Sequence, residues 1–309
     1  MIKVVKDFDY PPAILLKKGC LEHIKKATEE KNGRIYSSNN YGHADVLKQL
    51  KDEIYHGKCS YCESKSEHVA ALQVEHFRPK KELKKEKQGD ESHNGYYWLG
   101  YEWSNLLLGC PKCNGKGGKS TRFPISGKRV YDGSPFDSSG EIDSFDRTRL
   151  IATNSPLIDE KPLLLNPEYD EPGDHLEFDN LGQIKGITER GDATIKICKL
   201  NRDALYMERQ KVLDPFVNEI KRLIYAFEIK KIDIEGLRYL VEGVFDAIVM
   251  RTKPEEEYSL WGRYIFKKFE YCVLSRINSV YHEPIREAFK LYCNRLPVEE
   301  KNFLEFQTS

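Results

Sequence analysis

The 309-residue sequence predicts an α+β fold, a small metal-knotted half of short strands and helices followed by an all-helical half. Two Cys-x-x-Cys pairs, Cys59/Cys62 and Cys110/Cys113, mark the first half. From about residue 188 the apolar pattern becomes helical, with Leu237, Leu240, Val241, Val244, Phe245 and Ile248 on one face. Between the two, Asp132 to Lys161 is rich in Ser, Asp, Pro and Gly and reads as a loose loop.

Residues 1–58 read as a lead-in, with helices expected over Lys18–Glu30 and Asp45–His56. Residues 59–186 hold both cysteine pairs, and they end in apolar alternation around Asn180-Leu181-Gly182 that predicts a β-hairpin. Residues 187–309 form the helical half, including Phe216, Ile220, Leu223, Ile224 and Phe227 on one stripe and further helices over 256–275 and 277–293. Lys plus Arg equals Asp plus Glu at 49 each, so any attraction to nucleic acid must come from a local patch. No apolar run reaches the roughly 20 residues that span a bilayer, and the N-terminus lacks a secretory pattern. A cytoplasmic protein with no membrane association is expected.

In that setting the paired cysteines, four of the 8, read as metal ligands. Two knuckles of this spacing grip one tetrahedral Zn²⁺ through four thiolates. Such a site has no open position, so its metal is structural. Cys20, Cys198, Cys272 and Cys293 stand among apolar neighbours and read as small buried hydrophobes.

Glu75-His76 lies between the knuckles, Asn105 precedes the second, and Asn114 follows it directly. Phosphodiester hydrolysis needs a base for water and a divalent cation for the phosphate. A histidine suits the first task, and carboxylate and amide oxygens suit Mg²⁺ or Mn²⁺.

On these residues the sequence resembles the HNH (ββα-metal) endonuclease superfamily. The resemblance implies a zinc-stabilised ββα-metal nuclease domain followed by an all-helical C-terminal domain. It makes His76 the general base, Glu75 and Asn114 the ligands of a catalytic Mg²⁺ or Mn²⁺, and Asn105 the brace of the loop that holds His76. The family most often has His at the last position, where this chain has Asn114, a weaker ligand. The strings VEHFRPK (74–80), GYYWLGYEWSNLLLGCPKCN (95–114) and LLLNPEYDEPGDHLEF (163–178) are more specific. They resemble the PtuB-type HNH subunit of Septu anti-phage systems, also found with some retrons, over about residues 55–200. That resemblance implies an ABC-type ATPase partner.

Arg78, Lys80, Lys116 and Lys119 are the candidate contacts to the nucleic-acid backbone. The alternative for Lys80 to Lys87, which also contains Glu82 and Glu86, is a solvated helix face. Tyr96, Tyr97, Trp98, Tyr101 and Trp103 either stack on bases or pack around the zinc. His93 reads as an exposed loop residue, and His175 is open between a substrate contact and a turn role. Gly115–Ser120 is not a phosphate loop, because the first glycine of that motif falls on Cys113. The C-terminal helices offer a face for the ATPase. The leading function is a metal-dependent endonuclease, with a zinc-stabilised adapter carrying an inactive site as the alternative. The motif does not separate DNA from RNA or tRNA.

Overall fold

The computed structural model describes residues 1–85 and 91–304; Glu86 and Lys87 of the basic run lie outside them. The chain mixes many helices with a few short strands, and its contacts form two compact units. One comprises Lys3–His175 and Gly186–Leu200, and the other Met1–Ile2, Leu176–Lys185 and the chain from Asn201 on.

The first unit opens with α1 (Lys18–Glu29), α2 (Ser38–Tyr41) and α3 (Ala44–Lys48), the last running into a wider turn over Gln49–Ile54. Cys20, Ile24 and Ala27 are the buried stripe of α1, at the i, i+4, i+7 spacing of an amphipathic helix. Strand β1 (Gln73–His76) pairs antiparallel with β2 (Leu106–Gly109), setting His76 opposite Leu106 and Gln73 opposite Gly109. All four residues of β2 are buried. Helix α4 (Pro111–Asn114) follows at once, started by Pro111 in its first turn.

The expected boundary at 58/59 does not divide the contacts, and Lys6 is one of the ties across it. Its buried ammonium donates to the Trp103 and Leu106 carbonyls, each at 2.6 Å, pairs with Glu168 at 3.0 Å and lies 3.8 Å over the Trp103 ring. The lead-in is thereby tied to the start of β2 and to Glu168. The 132–161 segment is not loose either. Glu160, fully buried, takes the Arg78 Nε–H at 2.9 Å, the Tyr96 hydroxyl at 2.7 Å and the Val130 N–H at 2.9 Å. A loop-like composition has here been folded back onto a buried carboxylate.

Helix α5 (Glu189–Cys198), after strands β3 (Leu176–Phe178) and β4 (Ile184–Gly186), belongs to the cysteine unit and not to the helical half expected from 187. Thr188 caps it by accepting from Gly191 N–H, and Arg190 clamps Asp170 at 2.6 Å while donating to the Pro162 carbonyl.

In the other unit β3 and β4 make the expected hairpin, and Asn201 bonds both the N–H and the carbonyl of Ile184. The helices are α6 (Asp203–Glu228), α7 (Ile234–Met250), α8 (Ser259–Lys267), α9 (Phe269–Cys272), α10 (His282–Arg295) and α11 (Val298–Leu304). The helix expected over 256–275 is interrupted at Lys268, where ψ turns to 39°, and the one expected from 277 starts at His282. No helix among the described residues is long and apolar enough to cross a membrane.

Candidate functional site

Cys59, Cys62, Cys110 and Cys113 come together, all buried, with their sulfurs within 4.8 Å of one another. The Cys62 and Cys110 sulfurs are 3.8 Å apart. Four bonds of about 2.3 Å to a tetrahedral ion set sulfurs about 3.8 Å apart, so the cluster fits a structural metal such as zinc. The Cys110 N–H donates to Cys59 Sγ at 3.3 Å, and Ser60 N–H to the Leu108 carbonyl at 2.8 Å, which locks the first knuckle onto β2. Cys198 is buried and free, and burial pushes its thiol up. Cys20 and Cys272 are likewise buried, and Cys293 is half-buried.

Beyond the cluster, Gly109 lies between Glu75 and Asn114. A Cβ there would meet Glu75 Cβ at 3.3 Å and Asn114 Cβ at 3.4 Å, so the glycine lets the carboxylate and the amide approach one another. Glu75 is buried and Asn114 half-buried. Lys119, fully buried, sets its ammonium 2.5 Å from Glu75 Oε1 and donates to the His76 carbonyl at 2.8 Å. The Lys119 ammonium is thus the counter-charge of the buried Glu75 carboxylate. Burial raises the Glu75 carboxyl above its ordinary value, against the pull of Lys119.

Alternation along β1 turns the His76 ring away from Glu75. Its Nε2 lies 3.0 Å from the Gly100 carbonyl, and its ring meets Tyr41 edge-on at 4.9 Å. A carbonyl only accepts, so Nε2 carries the proton in the neutral ring and Nδ1 keeps the lone pair. Burial, then Lys80, holds this imidazole well below its ordinary pKa. Asn105 closes the loop after β1. Its Oδ1 accepts from Arg78 N–H at 2.7 Å, and its Nδ2 donates to the carbonyls of Arg78 at 3.0 Å and Leu99 at 3.2 Å.

The candidate phosphate contacts separate. Arg78 is fully buried, its Nη2 donating to the Leu157 carbonyl at 2.6 Å and its Nε committed to Glu160. Lys119 is committed to Glu75. Both are held by internal partners, Arg78 by Glu160 and Leu157 and Lys119 by Glu75 and His76, and this corrects the expectation for both. Lys116 is exposed. Lys80 is buried beside Tyr41. The five aromatics pack and do not present faces: each is at most 3% exposed, with Trp98 in contact with Tyr96 and Tyr97. His93 is buried, not exposed, bonding Val130 and Gly95. His175 bonds Thr188 Oγ1 at 2.8 Å and accepts from Ile187 N–H, a turn role at the start of α5. Tyr41 and the counter-ion role of Lys119 were missed. No motif marks Tyr41, and a lysine in a Gly-rich run reads as exposed.

No protein-family model matches the chain, and no solved structure matches it. It is 35% identical over 194 residues to the Septu protein PtuB of Bacillus mycoides (strain KBAB4), covering 62% of this chain and 58% of that one. It is also 27% identical over 232 residues to the Septu protein PtuA of the same strain, covering 75% of this chain and 28% of that protein. The chain is related to Septu-system proteins. A PtuB of Bacillus thuringiensis is 24% identical over 230 residues, covering 73% of this chain and 70% of its own length. The chain thus spans less than two thirds of the two relatives from Bacillus mycoides.

Proposed function

We propose that the chain is a metal-dependent endonuclease of the HNH type, with a ββα site formed by β1, β2 and α4, and that it serves as the effector of a Septu-type anti-phage system. The observation that carries the reading is the His76 imidazole, neutral by burial and fixed by the Gly100 carbonyl with Nδ1 left as the base. His76 takes a proton from water at Nδ1, and Asn105 keeps the loop behind it in place. Glu75 and Asn114 fit a small hard cation, since Mg²⁺ uses one or two carboxylates and keeps other positions for water and phosphate. Bound there, Mg²⁺ or Mn²⁺ would stabilise charge on the scissile phosphate. The imidazole and the carboxylate–amide pair stand on two faces of one short strand pair, so a phosphate engaging both lies across the end of β1. The four cysteines hold Zn²⁺ and clamp the strand pair. Lys80 and Lys116 remain as backbone contacts.

The partner is an ABC-type ATPase. Similarity to part of a longer Septu protein supports membership of a multi-part assembly. The adapter reading is favoured by one observation, the Lys119 ammonium already set against Glu75.

The test is cutting of plasmid DNA, single-stranded DNA and total tRNA with Mg²⁺ or Mn²⁺, with and without the ATPase. A general base contributes about 10²–10⁴-fold, so His76→Ala is expected to lose that much. Wild-type rates from His76→Ala would remove the mechanism. An intact, zinc-loaded protein that never cuts would leave the adapter.

A further inference from the structure

Among the basic residues around β1, Arg78 and Lys80 each carry a buried nitrogen without a hydrogen-bond partner, but the other nitrogens of Arg78 are committed to Glu160 and Leu157. Lys80 is 7% exposed, and its Nζ has no hydrogen-bond partner among the described residues. The ammonium lies 3.6 Å over the Tyr41 ring, and that ring meets His76 edge-on at 4.9 Å. Tyr41 comes from α2, and the chain before it passes Lys80 closely at Gly33, where a Cβ would overlap the Lys80 carbonyl at 1.7 Å. Burying a cation without an anion is costly, and an aromatic face offsets only part of that cost. Burial, with Lys81 adding repulsion, brings the amine down to about 7. An arriving anion reverses that balance, because it restores the charged form and supplies the missing acceptor.

We propose that Lys80 and Tyr41 form the seat for one phosphate of the substrate beside His76, with Lys80 Nζ donating to a phosphate oxygen and the Tyr41 ring forming the wall. This rests on the nuclease reading and adds Tyr41 to its site. It also selects Lys80, in place of Arg78 or Lys119, as the cation without an anionic partner beside the base. The seat reads no base, so it serves DNA and RNA alike.

The test uses the full chain carrying His76→Ala, so that substrate is not cut, and fluorescein-labelled single strands of DNA and RNA over a series of salt concentrations. One phosphate contact on a single strand is worth a slope of about 0.7 in log affinity against log salt. Adding Lys80→Met is expected to weaken binding about tenfold and to flatten the slope by that amount. Lys80→Arg retains the slope, and Tyr41→Leu weakens binding about threefold without changing it. Unchanged affinity and slope in a Lys80→Met protein with the parent's zinc content and circular dichroism overturns the seat. Should that variant not fold, Lys80→Gln against Lys80→Arg carries the same comparison. A slope lost in a chain whose wild type never cuts keeps the seat and removes the nuclease. A wild type that cuts, with Lys80→Met at the same KM, keeps the nuclease and removes the seat. Failure of the folded parent to bind either strand at low salt removes both.

Discussion

The two faces that meet at β2 are built on opposite plans. At Cys59, Cys62, Cys110 and Cys113 the chain supplies every ligand, buries them all and brings their sulfurs within 4.8 Å. Immediately before Cys110, at Gly109, the chain supplies one carboxylate and one amide, with the Lys119 ammonium set against the carboxylate. A closed set of soft ligands makes a structural centre, and an incomplete set of hard ones makes a site that other molecules must complete. On the proposed nuclease reading, loss of the first costs the fold and loss of the second costs chemistry, and variants can separate them.

The largest effect is expected at the closed site. Apparent zinc affinities of small zinc domains are about 10–16 kcal/mol at neutral pH, as large as the whole stability of a typical domain. Cys110→Ser is therefore expected to lose bound zinc, measured by atomic emission, together with the near-ultraviolet dichroism of Trp98 and Trp103. A variant that keeps its melting temperature would break the comparison. Next comes Lys119→Met, which strands the buried Glu75. Removing one member of a buried pair costs about 3–5 kcal/mol. Glu75 already has a raised pKa in the folded chain, and removal of Lys119 raises it further. A carboxyl raised on folding binds more protons folded than unfolded, so stability falls as pH rises. Urea melts of Lys119→Met should show the deficit growing as pH rises through the Glu75 pKa and shrinking below it. A deficit independent of pH would assign the loss to packing alone.

Spacing made the closed site legible, because two knuckles define a tetrahedron whatever lies between them. Glu75, His76, Asn105 and Asn114 are proposed from their order alone, and the β1 alternation that turns the His76 ring away from Glu75 was not legible there. Burial of charge was not legible. Arg78 and Lys119 look like surface cations until Glu160 and Glu75 are found against them, and those partners are respectively 82 positions and 44 positions away (119 − 75). The lead-in hid its role for the same reason, since Lys6 reaches Trp103, Leu106 and Glu168 only through the fold. A middle-sized effect probes what was legible. Asn105→Ala removes three hydrogen bonds and leaves the Arg78 N–H unpaired, a loss of about 1–3 kcal/mol. Cutting should fall along with the thermal midpoint. An unchanged midpoint with lost cutting would give Asn105 a direct part in the chemistry.

Lys116 should give the smallest effect and the sharpest contrast, because it stands three positions before Lys119 in the same glycine-rich turn. It is exposed where Lys119 is sealed, and a solvated lysine is worth little to the fold. Lys116→Ala is thus expected to leave the melting temperature unchanged. If it touches a phosphate, the salt slope for a duplex drops by about 0.9, with weakening that is uniform across sequences. An unchanged slope would make Lys116 a bystander and leave Lys80 as the electrostatic contact of this face. A fall in stability would instead mean that Lys116 itself helps to hold the turn from Gly115 to Ser120.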